Sequence, residues 1–164
     1  MTRSSYSTTE IFRFCRDFWP ETHTTLHRYL LNLHRLAEIE MAGAAEIMAG
    51  YGLSVAEFDI LAALRRSNAP HTLNPTGLQR STLLSSGGTT KLLYQLERRG
   101  YICRSVKKED KRSKLVHLTP FGRQQIEQAM NDVLSQKQQA AKDAGMTQAD
   151  LKQLNSLLEK RLSV

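Results

Sequence analysis

The stretch "HTLNPTGLQRSTLLSSGGTTKLLYQLERRG", residues 71–100, decides how the rest of this chain is read. Asn74 followed by Pro75 is an N-cap with proline at the first helical position, where a missing N–H costs nothing, and predicts a short helix to about Thr82. After Leu83 and Leu84, Ser85 or Ser86 can cap a second helix that runs to Arg99 and stops at Gly100. Two short helices with a tight connection, the second one basic, spell a helix-turn-helix.

Helical geometry sorts the second helix. At about 100° per residue, Thr89, Leu92, Leu93 and Leu96 share one side, while Gly87, Thr90, Lys91, Tyr94 and Arg98 share the other. The second face offers hydroxyls, an ammonium, a phenol and a guanidinium, groups that hydrogen-bond base edges and phosphates in a major groove. Gly87 costs helix stability, so its place near the helix start suggests a backbone that approaches something closely. For Tyr94, simple packing under a following wing is the alternative to a DNA contact.

After Gly100, "YICRSV" reads as a strand and "SKLVHLT" as its partner, with "KKEDKR" between them as a hairpin tip. A hairpin directly behind a basic helix makes a winged helix. A tip carrying Lys107, Lys108, Lys111 and Arg112 can lie along a phosphate backbone or enter a minor groove. Charge is concentrated here. Residues 79 to 123 hold eleven Lys and Arg against three acids, whereas the remaining 119 residues carry twelve bases against thirteen acids. A localised basic surface is the footprint of a polyanion.

The flanks read as helices. Residues 8 to 18 give a short amphipathic segment with Ile11, Phe12, Cys15, Phe18 and Trp19 at helical spacing, ended or kinked near Pro20. A long helix is expected over 22–50, with Leu26, Tyr29, Leu30, Leu33, Leu36 and Ala37 on one stripe. Ser54 and Glu57 stand in capping-box register, so a third helix opens at Val55, its Phe58, Leu61, Ala62 and Leu64 suited to a core. Thr119 with Pro120 starts a helix to about Ala144. Thr147 with Asp150 starts the last, with Leu151, Leu154, Leu157 and Leu158 in a stripe that most often packs on its own core.

At 164 residues, 40% hydrophobic and 24% charged, the chain suits one domain-sized core. Cys15 and Cys103 are too few for a disulfide framework or thiolate cage. No run approaches the roughly 18 apolar residues of a membrane span, and the first thirty residues lack a signal-peptide core. A soluble protein of a reducing compartment, with no membrane partner, is the expectation. Without a Gly-rich phosphate loop, a G-x-S-x-G elbow or paired metal-ligand motifs, neither an enzyme nor a cofactor is expected. His23 and His27 stand four apart with His34 further on, but no convergent carboxylate or thiolate accompanies them, so no metal site is assigned.

From residue 52 to 122 the chain resembles the MarR family of bacterial transcriptional regulators. The carriers are "LSVAEFDIL", "SSGGTT" at the recognition-helix start, "LERRG", the wing pair Asp110 and Arg112, and "LTPFG". With the flanking helices the resemblance covers nearly the whole chain. It implies a mainly α fold with a small β-hairpin wing: dimerisation helices over 1–50, a winged helix-turn-helix lobe over 51–122, and further dimerisation helices over 123–164, in one compact chain. It also implies a homodimer whose recognition helices enter successive major grooves of a pseudo-palindromic double-stranded DNA site, about 34 Å apart. Ser86, Thr90 and Lys91 would contact DNA, with Arg112 as the wing arginine held by Asp110. The family's commoner wing pattern P-x-D-R-R is written KEDKR here, so Lys111 replaces one arginine, a change that phosphate contact survives better than bidentate base recognition.

The resemblance implies a cytoplasmic, nucleoid-associated regulator, a repressor released by a small molecule. Trp19 and Asp59 resemble the branch that answers to urate-like or aromatic acidic ligands, with a pocket between dimerisation helices and DNA-binding lobe. The plainer reading makes Trp19 a core anchor and Asp59 a helix-surface acid. Cys15, near Arg13 and Arg16, is the candidate for a redox-sensing alternative, although a small buried hydrophobe among Phe12, Phe14, Phe18 and Trp19 is its commoner role. A winged helix used for protein contact is the remaining alternative.

Overall fold

The computed structural model describes residues 6–68, 70–82, 86–106 and 114–163. The elements, in chain order, are α1 (Thr8–Phe18), a 3-10 turn (Pro20–Thr22), α2 (Thr25–Gly50), α3 (Val55–Arg66), β1 (Thr72–Leu73), α4 (Pro75–Ser81), α5 (Ser86–Arg98), β2 (Ile102–Val106), β3 (Lys114–Leu118), α6 (Pro120–Asp143) and α7 (Gln148–Leu162). Two compact units result, Met1–Ala44 and Ala45–Val164, with the boundary inside α2. Among the described residues, no single helix is long and apolar enough to cross a membrane.

In the first unit, Ser7 and Glu10 close α1 with a reciprocal box: Ser7 N–H donates to Glu10 Oε2 at 2.9 Å, and Ser7 Oγ accepts from Glu10 N–H at 3.2 Å. The long helix starts three residues later than its pattern predicts. The N–H and hydroxyl of Thr22 both donate to the Trp19 carbonyl, tightening 20–22 into a 3-10 turn, and Thr24 Oγ1 then receives the His27 N–H at 3.2 Å. No residue of α1 is buried, and Trp19 is 63% exposed, so Trp19 does not anchor a core within this chain. The apolar stripe of α2 is also open: Leu26, Leu30, Leu33 and Leu36 are all exposed.

The second unit holds the core. The capping box of Ser54 and Glu57 opens α3 as its spacing predicts, but the helix is apolar on more sides than the pattern showed. Ile60 and Ala63 are buried beside Phe58, Leu61, Ala62 and Leu64. Around α3 gather Leu78 of α4, Leu93 and Leu96 of α5, Ile102 of β2, Val116 of β3, and Ile126 and Ala129 of α6. Asn74 caps α4, its Oδ1 accepting from Gly77 N–H at 2.7 Å.

The wing is a three-stranded antiparallel sheet of order β1-β3-β2 rather than a bare hairpin. Thr72 and Leu73 are too short a run to carry a strand pattern, and pair with His117 and Val116 only because the fold brings β3 alongside. His117 ties the sheet across, with Thr72 Oγ1 2.9 Å from Nδ1 and Ser105 Oγ 2.6 Å from Nε2.

The α5–β2 junction fixes the origin of α6. Gly100, at φ +75, donates to the Glu97 carbonyl while Tyr101 N–H reaches Leu96, a Schellman closure. Thr119 Oγ1 donates to the Gly100 carbonyl at 2.6 Å and accepts from Gly122 N–H at 3.0 Å, seating the first turn of α6 on that junction. A Cβ on Gly122 would stand 1.9 Å from the Tyr101 carbonyl oxygen. Backbone cannot yield as a side-chain tip can, so Gly122→Ala is expected to cost about 3 kcal/mol. A urea denaturation midpoint equal to the parent's would refute this contact.

Candidate nucleic-acid interface

The two faces of α5 separate as helical geometry requires. Thr89, Leu93 and Leu96 are buried, and Thr90, Lys91, Tyr94 and Arg98 are exposed along the opposite side. Arg98 lies over the Tyr94 ring, 5.8 Å from its centroid, and Tyr94 is 57% exposed. Ser86 and Gly87 open the helix. The helix ends at Arg98, and Arg99 turns back to the body of the unit.

That turn positions the face. Arg99 Nη1 donates to Glu57 Oε1 at 2.8 Å and Nη2 to the Gly52 carbonyl at 2.6 Å, with the guanidinium 4.9 Å from the Tyr101 ring centroid. The other oxygen of Glu57 receives the N–H and hydroxyl of Ser54, both at 2.9 Å. One buried carboxylate therefore closes the start of α3 and holds the end of α5. At the other end of α3, Arg66 Nη2 donates to the Ser81 carbonyl at 2.7 Å, steadying the last turn of α4.

Lys107, Lys108, Asp110, Lys111 and Arg112 lie outside the described residues. At the wing's base stands Arg104, which the sequence reading passed over. Its Nε sits 3.1 Å from Glu97 Oε2, and its buried Nη2 has no hydrogen-bond partner among the described residues. A buried donor left unmade is costly, and Arg104 escapes pattern reading because a lone arginine on a strand carries no signal.

The model of the MarR family matches residues 51–113, a stretch that holds α3, β1, α4, α5 and β2. The repressor YetL of Bacillus subtilis is 34% identical over 118 residues, covering 71% of this chain and 70% of YetL. The chain belongs to the MarR family. The regulator PecS of Dickeya dadantii is 35% identical over 77 residues, 47% of this chain and 46% of PecS. The chain thus spans about half the length of several curated relatives it matches. BpsR of Bordetella bronchiseptica, at 23% identity, superposes with a TM-score of 0.67 over 87% of this chain and 96% of its own, a likeness of fold. These MarR relatives are regulators of transcription, not enzymes.

The other residues singled out as effector or sensor positions fall on different elements. Trp19 belongs to the first unit and Asp59 to the second. Burial pushes the Asp59 carboxyl above its ordinary range, against the opposing pull of Arg66. Cys15 is half-buried, its Sγ 3.9 Å from His27 Nδ1. That nitrogen also lies 2.8 Å from the Thr22 carbonyl, which accepts only if Nδ1 carries the proton. In that tautomer Nδ1 is no base for the thiol. Among the described residues, no three His, Cys, Asp or Glu side chains converge on a point a metal would occupy.

Two outcomes follow from these contacts. Glu57→Ala removes a cap and strands a guanidinium at once, and a loss of about 2 kcal/mol is expected, moderated by the partial exposure of Arg99; a loss below about 0.5 kcal/mol would mean the pair holds nothing. Asp59 favours the protonated form when folded, so its contribution is present at low pH and lost as pH rises through the raised pKa. Asp59→Asn should therefore stabilise the chain at about pH 7 and much less at about pH 3. Urea titrations at both pH values check the sign, and an equal difference at both would refute it.

Proposed function

We propose that this MarR-family chain is a sequence-specific, DNA-binding transcriptional regulator that acts as a homodimeric repressor released by a small ligand. The observation that carries the reading is the solvent face of α5, where Thr90, Lys91, Tyr94 and Arg98 stand clear of a buried Thr89, Leu93 and Leu96. Such a face can offer hydroxyls to base edges and cations to phosphates in a major groove. Ser86 and Gly87 at its start, and Lys107, Lys108, Asp110, Lys111 and Arg112 in the wing, complete the proposed contact set.

Dimerisation is supported by apolar surface that this chain leaves uncovered. Leu26 and Leu30 on α2, with Leu154 and Leu157 on α7, are exposed, although soluble helices normally bury such stripes. A two-fold pair would present two recognition helices to a pseudo-palindromic operator, about 34 Å apart. Regulation by a small aromatic or acidic molecule is supported by BpsR, whose DNA binding is regulated by 6-hydroxynicotinic acid. Trp19 and Asp59 are the proposed ligand positions. Release then needs only that the ligand favour the dimer geometry that cannot bind DNA. The reading implies the cytoplasm, at the nucleoid.

The test titrates the purified chain against its own upstream intergenic duplex and a scrambled duplex at two salt concentrations. Tight, salt-sensitive preference for the native duplex is expected, with two subunits per site. Lys91→Ala should weaken both duplexes alike and lower the salt slope by about one. Arg112→Ala should cost about 1–3 kcal/mol on the native duplex if it reads bases. Weak binding of both duplexes, indifferent to salt, would sink the reading.

A further inference from the structure

Residues 51 and 52, the turn that closes α2, are held from three directions. The backbone closes on the last turn of α2: Tyr51 N–H donates to the Met48 carbonyl at 3.1 Å, and Gly52 N–H, at φ +66, to that of Ala49 at 2.8 Å. The end of α5 rests on the same turn. Arg99 Nη2 donates to the Gly52 carbonyl at 2.6 Å, and the Tyr101 hydroxyl donates to the Tyr51 carbonyl at 3.2 Å. The third hold comes from α6, where Asp132 Oδ2 accepts from the Tyr51 hydroxyl at 2.5 Å.

Asp132 stands where α6 leaves the core. Ile126, Ala129 and Val133 are buried, Val133 is the last buried residue of that helix among the described residues, and Leu134 is exposed. The helix is therefore fixed at two points. Thr119 and Gly122 seat its first turn on the Gly100 and Tyr101 backbone, and the Tyr51 bond holds it about 20 Å further along. The two holds differ in kind. The first is a backbone contact with no room for play, whereas the second is one hydrogen bond between a half-buried phenol and an exposed carboxylate. Water competes for such a bond, so it can open without dismantling the core. The Asp132 carboxylate, through that hydrogen bond first, raises the Tyr51 phenol above its ordinary range, so the hydroxyl keeps its proton and remains the donor.

We propose that Tyr51 and Asp132 form a clasp that sets the angle at which α6 leaves the DNA-reading lobe and passes that angle to the end of α5 through the 51–52 turn. Closed, the clasp holds the Gly52 carbonyl against Arg99 and so fixes the last turn of α5. Open, the turn keeps its tie to α2 but loses its tie to α6, and the seat of Arg99 gains freedom. A single water-accessible bond leaves the two states close in free energy, so a small bias on α6 shifts the balance between them. Tyr51 and Asp132 are positioning residues, and neither is among the proposed DNA contacts. Only the effect on operator affinity rests on the regulator reading.

The Arg99 guanidinium reports on the clasp without DNA. The full chain is labelled with ¹⁵N arginine, Arg99 is assigned through Arg99→Lys, and its side-chain N–H signals are compared across variants at one pH, with urea midpoints checking that each is folded. Tyr51→Phe and Asp132→Ala should each move the Arg99 signals and speed their hydrogen exchange, and the double variant should go no further than either single one. Asp132→Asn keeps an acceptor oxygen and should stay close to the parent chain. A general loosening would instead add in the double variant. On the native upstream duplex, Tyr51→Phe should weaken binding about fivefold through lost preorganisation of α5, with the salt slope unchanged because no phosphate contact is removed. The proposal is overturned if Arg99 is unmoved in both single variants, if their effects add, or if Asp132→Asn acts like Asp132→Ala. It is equally overturned if the parent binds its duplex and Tyr51→Phe binds it as tightly or more tightly. Should the parent bind neither duplex, the regulator reading fails alone, and the Arg99 signals still decide the clasp.

Discussion

Glu57 is a single buried carboxylate with partners on both sides. One oxygen takes the N–H and hydroxyl of Ser54 and so begins α3, the helix around which the second unit's core is built, and the other takes Arg99 at the end of α5. Burying a charge is costly unless it is paired and hydrogen-bonded, and here both oxygens are satisfied. The consequence is geometric. The end of α5 is tied to the start of α3, while Leu93 and Leu96 press the middle of the helix against the same core, so the Thr90, Lys91, Tyr94 and Arg98 face has one orientation available to it. Direct reading of base edges needs a helix that does not roll.

A second constraint acts at the junction between α5 and the wing. The Gly100 and Tyr101 carbonyls both receive the Thr119 side chain or backbone, and Gly122 leaves room for the Tyr101 carbonyl where any side chain would collide. Recognition helix, wing strand and the first turn of α6 therefore share a few adjacent backbone atoms. A displacement of α6 has a short mechanical path to α5. Movement of α6 would act on α5 through definite contacts, in place of a diffuse network.

The chain keeps its charge and its spare apolar residues on different segments of its sequence. The basic excess of residues 79 to 123 falls on the DNA-reading lobe, while the uncovered leucines fall on α2 and α7. Apolar stripes of that length call for a cover.

Local chemistry was legible in the letters. Ser54 with Glu57, Asn74 with Pro75, Thr119 with Pro120, and Thr147 with Asp150 all begin helices where their spacing says, because a cap satisfies N–H groups within three residues of itself and needs nothing distant. The two faces of α5 followed from helical periodicity alone. The rest required the tertiary structure. β1 is a strand only because β3 lies beside it, and Arg99 finds Glu57 across 42 residues of chain. Trp19 looked like a core residue and is exposed, since periodicity tells which residues share a face but not what covers that face. Arg65, Arg123 and Glu127 carried no motif, and became a charged cleft only when two helices distant in sequence packed side by side. Hydrogen bonds that close within a turn are written in order along the chain, whereas pairings between turns depend on how the whole core packs, and that no short window of sequence contains.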